Sequence, residues 1–325
     1  MRVLLGSQPI DQIRPTTTDT LHLSRFAWVD TVRAYAGSIG LHGAQTNYTR
    51  FFNTGSAPIS YNVSASPKTR LEPYEWDFPF VGPLPYKGFF TRDLALAEAE
   101  ALRTQGFDAI ARSVAAYSTL GYLPDPLLST MLDDGEARLA DLLLHELTHA
   151  TIFAEGQIDY NESTATFVGR KGALILMKRR YGDESPEVRS IGEGHDEALQ
   201  FNQFMAVFLD ELDSLYSRNL DLDHLLPLRQ GLLHTAQDRY RGDPLFGSRY
   251  DGFLQWEHVN NARLLSYRRY HRDLHLFDQV YLAQEKNLPA CVEVFTECAQ
   301  ESEPFACLEV AGHSTAHSQG PAAAQ

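Results

Sequence analysis

The chain has 325 residues, 43% of them hydrophobic, enough to bury a large core as one big domain or two intimate ones. Its 28 basic residues against 42 acidic ones leave a net charge of −14, which disfavours nucleic acid and anionic membrane surfaces as partners. No run of 18 apolar residues occurs, so no membrane-spanning helix is predicted.

From the start, Met1 to Ser7 is too short to serve as a signal peptide. Asp19 to Leu41 reads as a helix, with Phe26, Val29, Val32 and Ile39 on one side and Gly40 near its end. Thr54 to Phe90 carries six prolines and repeated aromatics, including Tyr61, Tyr74, Trp76 and Phe78, and predicts short strands and turns. Thr91 then caps a helix that runs through Leu102 and closes at Gly106. Asp108 to Ser118 reads as a buried strand, and after Asp133-Asp134-Gly135 the chain is mainly helical.

The chemistry concentrates in Leu142-Leu143-Leu144-His145-Glu146-Leu147-Thr148-His149-Ala150. His145 and His149 are four apart and share one face of a helix, where two imidazoles can hold one zinc ion. Glu146, beside the first His, is placed to take a proton from water. A surface His-Glu-His cluster on an ordinary amphipathic helix would give the same letters. The metzincin pattern is excluded, because Ile152 and Glu155 stand where its Gly and third His belong. A gluzincin draws its third ligand from a Glu on a following helix, and Glu162 in Asp159-Tyr160-Asn161-Glu162-Ser163-Thr164-Ala165 offers one. Gly156 can end the first helix and Asp159 can start the second. Asp159 and Glu162 also have the spacing of a capping box, a role that needs no metal.

Asn161 to Tyr181 ends on Lys178, Arg179 and Arg180, suited to a helix C-terminus, with Gly182 beyond. Glu197 to Tyr216 is amphipathic, and His195 among Gly192-Glu193-Gly194 reads as a loop residue. Asn260 to Gln284 reads as one long basic-aromatic helix, and residues 311–325 as a disordered tail. Cys291 and Cys298 are two helical turns apart, about 10 Å, too far to bridge within one helix. Cys307 can reach back to either across Ser302-Glu303-Pro304, and three reduced thiols packing as small hydrophobes are the alternative. The outline is an α+β fold, mainly helical, as a single domain over 1–310 with a small β-rich part at about 54–123 and a helical catalytic part at about 136–300.

A family resemblance runs through these landmarks. Tyr61-Asn62-Val63, Glu72-Pro73, Trp76, Phe78-Pro79, Val81-Gly82 and Tyr86 to Phe90 come first, followed by Ala116 to Tyr122 and Asp125 to Thr130. Then come His145 to His149, Asn161 to Ala165 and Gly172-Ala173. In that order they resemble a bacterial family of predicted zinc aminopeptidases, over about Leu4 to Tyr270. The resemblance implies a gluzincin-like zinc peptidase with His145, His149 and Glu162 as ligands, Glu146 as general base and peptides as substrates. Family members commonly begin with a lipoprotein signal, so the expected location is the cell envelope or periplasm, with any membrane tether being a lipid anchor absent from this chain.

In gluzincin aminopeptidases a strand some thirty residues before the zinc motif lines the cleft, and Val114 to Gly121 stands at that distance, although a plain core strand reads the same way. Tyr267, Tyr270 and Tyr117 are eligible as oxyanion donors. Asp133, Asp134, Glu155 and Asp159 are eligible to hold a peptide's α-ammonium. Familiar gluzincins often carry Asp four residues after the ligand Glu; here Thr166 stands there, so another acid or a backbone carbonyl must orient His145. The reading is a zinc-dependent aminopeptidase. An endopeptidase, a hydrolase of cell-wall peptides and a non-catalytic zinc-stabilised binding protein are the alternatives, the last having no need of Glu146.

Overall fold

The computed structural model describes residues 3, 6–55, 58–79, 82–114, 124–243, 245–271 and 273–313, the side chains of 266, 270 and 271 excepted. The chain opens with β1 (Gln8–Pro9), α1 (Ile10–Ile13), α2 (Thr20–Ser38) and β2 (Arg50–Phe52). A β-rich stretch follows: β3 (Tyr61–Pro67), β4 (Trp76–Phe78), β5 (Gly82–Leu84), β6 (Lys87–Phe89), α3 (Arg92–Thr104), β7 (Phe107–Ser113) and β8 (Leu127–Leu128). The rest is helical: α4 (Gly135–His149), α5 (Ile158–Tyr181), α6 (Pro186–Tyr216), α7 (Leu222–Gly242), α8 (Asn261–His271), α9 (Leu274–Ala283), α10 (Leu288–Cys298) and α11 (Pro304–His313). The fold is a mainly helical α+β one, as its sequence predicts.

The chain divides into two compact units, and neither is continuous in sequence. The described residues within 1–57, 116–180 and 269–325 form the first, and those within 58–115 and 181–268 the second.

In the first unit, α2 starts at Asp19, whose carboxylate accepts from the backbone N–H groups of Leu21 and His22. Its apolar side chains Phe26, Val29 and Val32 are fully buried, as are Leu139, Leu143, Leu144 and Leu147 of α4. Trp28 Nε1 donates to the Glu136 carbonyl at 2.8 Å, and the Glu136 carboxylate pairs with Arg25 and Arg180 at 3.5 and 2.9 Å, fixing the start of α4. A small sheet, β1-β2-β8, joins β2 to β8 in parallel. An aromatic cluster binds α5 to α9 and α10: Phe277 meets Phe295 edge-on at 5.1 Å, and Tyr160 donates to the Phe295 carbonyl at 2.7 Å. Cys298 is bridged to Cys307, one of the pairings the spacing allows, and Cys291 is a free buried thiol.

In the second unit, β3 is the centre of an antiparallel sheet ordered β6-β3-β7, with Tyr61 opposite Ser113 and Pro67 opposite Phe107. Val63, Ala65 and Ala109 pack on Ala95, Ala99 and Leu102 of α3. A second core, with Phe201, Phe208, Leu212, Leu233, Tyr240 and Phe253, holds α6 against α7. A buried polar network ties the sheet to these helices. Asp108 on β7 accepts from Arg229 Nη2 at 2.5 Å and from the Asn261 backbone N–H at 2.9 Å. Asn261 in turn accepts from Tyr216 at 2.8 Å and donates to the Pro67 carbonyl at 2.8 Å.

Several boundaries differ from the expectations. Helix α6 begins at Pro186 on a Ser185 cap, so His195 is helical and not in a loop. Gly192 and Gly194 do not turn the chain; a Cβ on Gly194 would lie 3.0 Å from the Arg249 guanidinium, so that glycine makes room for a neighbour. The expected helix over 260–284 is two, broken at Asp273, whose φ of 50° is left-handed. The helix expected to close at Gly156 ends at His149, and Gly156 sits in the connection with φ of 72°. Asp159 is one residue inside α5 rather than ahead of it. Thr91 is at the expected N-cap position of α3, but its side chain makes no cap hydrogen bond. Helix α11 extends through His313, and a Cβ on its Gly312 would lie 2.9 Å from Gln279 Cβ; residues 314–325 of the expected tail lie outside the described residues.

Candidate metal centre

His145 and His149 follow each other by one turn on α4, and their Nε2 atoms lie 3.1 Å apart with the rings edge to face. Glu162, in the second turn of α5, brings Oε2 to 3.5 Å from His145 Nε2 and 3.6 Å from His149 Nε2. These donor atoms all lie within 4.8 Å of one another and could hold a metal ion. Two imidazole nitrogens and one carboxylate oxygen are a zinc donor set that leaves a fourth position open. The strongest sign of fit is Glu162 Oε2 itself. It is buried and has no hydrogen-bond partner, and separations of 3.5 and 3.6 Å are electrostatic contacts, too long for good hydrogen bonds. A cation among the three would satisfy it.

Local sequence places each donor. The buried leucines turn α4 so that its half-buried His-Glu-His edge faces α5. The Asn161 side chain clasps the connection before it, accepting from the Ala154 N–H at 2.8 Å and donating to the Ala154 carbonyl at 2.9 Å. That clamp fixes the start of α5 and so the height of Glu162. Ser163, Thr164 and Ala165 are small and fully buried, letting the helix settle inward. The approach of α4 and α5 is close enough to require glycine. A Cβ on Gly169 would meet Asp141 Oδ1 at 2.5 Å and the Asp141 carbonyl at 2.7 Å, and one on Gly172 would meet Leu144 Cδ1 at 2.5 Å.

The electrostatics distinguish Glu162, His145 and Glu146. Burial opposes ionisation of Glu162, but the two imidazoles outweigh it and hold its carboxyl well below the usual carboxylate range. Burial likewise pushes His145 down, yet Glu162, Glu146 and Asp141 together keep it above its ordinary value. Burial pushes Glu146 up, opposed by the two His and aided by Glu162 and Asp125. A carboxyl so raised suits a group that accepts and returns a proton.

Of the expected site residues, the structure brings together His145, Glu146, His149 and Glu162. The capping-box alternative for Glu162 loses its geometry, since its carboxylate faces the imidazoles and Asp159 lies inside the helix. Tyr267 belongs to the second unit, where its hydroxyl donates to Asn202 and its ring meets Phe201 edge-on. Tyr117, the Tyr270 side chain and residues 115–121 of the expected cleft-edge strand lie outside the described residues. Asp133, Asp134 and Glu155 are exposed, and Asp159 is half-buried.

Three further residues, none of them expected as part of the site, stand close by. Asp141, one turn before His145, is one of three acids, after Glu162 and Glu146, whose charge acts on that imidazole. Asp125 and Tyr48 both sense Glu146. Tyr48 is buried with φ of 59°, a left-handed backbone held by its N–H on the Asp125 carbonyl at 2.7 Å. Asp125 N–H donates to Asn47 Oδ1 at 2.6 Å, closing the clasp. Burial, then Glu146 and Asp125, raise the Tyr48 phenol far above its ordinary value, so it stays a proton donor.

Fold and site define a helical protein with a His-x-x-x-His helix and a carboxylate from the next helix, arranged as a candidate metal centre. Residues 1–304 match the model of the family described as "Putative aminopeptidase", and the chain belongs to that family. Membership supports peptide hydrolysis as the activity. No curated protein and no solved structure matches the chain.

Proposed function

We propose that the protein is a zinc-dependent peptidase acting as an aminopeptidase. The observation that carries this reading is the buried, partnerless Glu162 oxygen facing two imidazole nitrogens beside Glu146, in a chain of an aminopeptidase family. His145, His149 and Glu162 would hold the ion, and zinc, when bound, supplies Lewis-acid polarisation of the scissile carbonyl and a lowered water pKa. Glu146 accepts the proton of the attacking water and returns it to the leaving amine. Asp141 keeps the His145 imidazole oriented. Tyr48, held protonated near Glu146, is the donor we assign to the developing oxyanion. Asp125, buried and acting on Glu146, is the carboxylate we assign to the substrate α-ammonium. The Cys298–Cys307 bridge supports an oxidising compartment, in keeping with an envelope location.

The test compares wild type with Glu146→Gln on paired peptides with free and acetylated N-termini. Zinc content and melting temperature are expected to survive the substitution while hydrolysis falls by about 10² to 10⁴-fold. Wild type is expected to prefer the free N-terminus by at least about tenfold, since acetylation removes a charge-assisted pair. Equal cleavage by both proteins would end the catalytic reading. Equal rates on both peptides, with internal fragments, would make the enzyme an endopeptidase.

A further inference from the structure

The second unit contains a cavity of about 660 Å³, within the range of small-ligand pockets. Its walls carry Lys68, Arg103, Arg229 and Arg263 against Asp108 and Glu257, an excess of cations in a chain whose net charge is −14. The cations differ in how far they are already used. Arg229 is almost fully buried and its Nη2 is shared among Asp108, the Val259 carbonyl at 3.0 Å and Asn261 at 3.3 Å. Its Nε–H, also buried, has no acceptor. Arg103 is taken up by the Ala109 carbonyl and by Glu100. Among the described residues the half-buried Lys68 ammonium has no partner, and the Arg263 guanidinium has no carboxylate partner and lies over the Trp256 ring at 5.0 Å.

A buried guanidinium N–H without an acceptor is rare in a finished core and points to a ligand atom or water that completes it. Lys68 and Arg263, both in the lining and both without a carboxylate partner among the described residues, favour an anion. The remaining lining is not that of an inorganic-ion site. Trp256, Phe107 and Leu226 are flat or apolar, suited to the carbon body of an organic acid, whereas the Gln230 amide is already engaged by the Glu257 carbonyl at 2.7 Å and His234 at 2.9 Å. We propose that this cavity binds a short acidic peptide through its carboxylates, with Lys68 and Arg263 as the anion contacts and Arg229 of the lining, whose buried Nε–H lacks an acceptor, as a further donor. The site stands apart from the metal-centre reading and does not depend on it.

The test is calorimetric titration of the full chain, at constant ionic strength, with N-acetyl-Glu-Glu, with its neutral counterpart N-acetyl-Gln-Gln-amide, and with inorganic phosphate. N-acetyl-Glu-Glu is expected to bind at least about tenfold more tightly than the neutral peptide, the usual scale for charge-assisted pairs. Phosphate, lacking the carbon body, is expected to bind more weakly than the dipeptide. Lys68→Ala and Arg263→Ala are each expected to weaken the dipeptide several-fold while leaving zinc content and melting temperature unchanged. Arg229 is left intact, because removing it would strand the buried Asp108. Equal affinity for acidic and neutral peptides would overturn the proposal. So would phosphate binding more tightly than the dipeptide, or dipeptide binding that survives both substitutions and vanishes on zinc removal, which would place the carboxylate at the metal centre.

Discussion

Two carboxylates, the buried Asp108 in the second unit and the half-buried Glu162 in the first, are met in opposite ways. Asp108 faces a permanent cation, Arg229 at 2.5 Å, and a backbone N–H at 2.9 Å. Glu162 faces only imidazoles, at 3.5 and 3.6 Å, with its inner oxygen left without a hydrogen bond. Arginine is always charged and its fork matches a carboxylate, so the first pair is a closed structural tie between β7 and the helices. Imidazoles are neutral or charged near neutral pH and are equally good metal ligands, so the second cluster is open to a cation. Burial alone therefore does not mark a functional carboxylate; a permanently charged partner marks a structural one, and titratable partners mark the one open to a ligand.

The comparison can be broken at its structural end first. Arg229→Met leaves Asp108 buried without its cation and is expected to cost about 3–5 kcal/mol, read from urea unfolding. Adding Asp108→Leu should recover most of that loss, because replacing both partners removes the stranded charge. A single-variant cost below about 1 kcal/mol, the value of a surface pair, would show that Asp108 is solvated after all.

At the other end, Glu162→Ala is expected to reduce zinc affinity by more than about 100-fold, since even outer-shell partners are worth about 10 to 100-fold. Asp159→Ala is expected to leave it unchanged, and both metal-free proteins should unfold within about 1 kcal/mol of wild type. Full zinc retention by Glu162→Ala, measured by elemental analysis after dialysis, would remove that residue from the centre.

The helix crossing that joins the ligands gives a smaller effect. Gly169→Ala places a Cβ within 2.5 Å of Asp141 Oδ1 and 2.7 Å of a backbone oxygen, which cannot yield as a flexible side chain can. About 1–3 kcal/mol of overpacking is expected, with zinc affinity reduced as well because His145 shares the crossing. Gly192→Ala, where a Cβ meets nothing within 4 Å, is the control and should be neutral or slightly stabilising. Similar effects at both glycines would show that the two helices can separate freely.

The smallest effect is a pH dependence away from both carboxylates. Burial raises the Cys291 thiol from 9.0 to about 12, and burial also raises Tyr216 and Tyr240 to about 12. Groups whose folded pKa is raised contribute stability that is complete below their ordinary values and is lost as pH rises through the shifted ones. Stability should therefore decline between about pH 9 and 12, and native Cys291 should resist iodoacetamide at pH 8 until the chain is unfolded. Rapid labelling in the native protein would contradict the burial of α10.

What could be read directly were the features that depend on neighbours along the chain. The four-residue spacing of His145 and His149 needs only helical geometry, and Asp19, the leucines of α4 and Lys178 to Arg180 mark their helices by the same local rules. Where two local rules compete, neighbours along the chain do not decide between them. Asp159 and Glu162 fit the spacing of both a capping box and a ligand, and Gly192 and Gly194 imitate a loop although both lie inside a helix, where only Gly194 leaves room for a neighbour, Arg249. Only the tertiary structure could decide contacts between distant segments: Asp108 lies 121 residues from Arg229, and Tyr48 and Asp125 meet near Glu146 from separate stretches. Periodicity is a property of one element and leaves a trace in sequence. The pairing of a buried charge is a property of two elements, and in a single chain nothing local records which cation, or which metal, its carboxylate will meet.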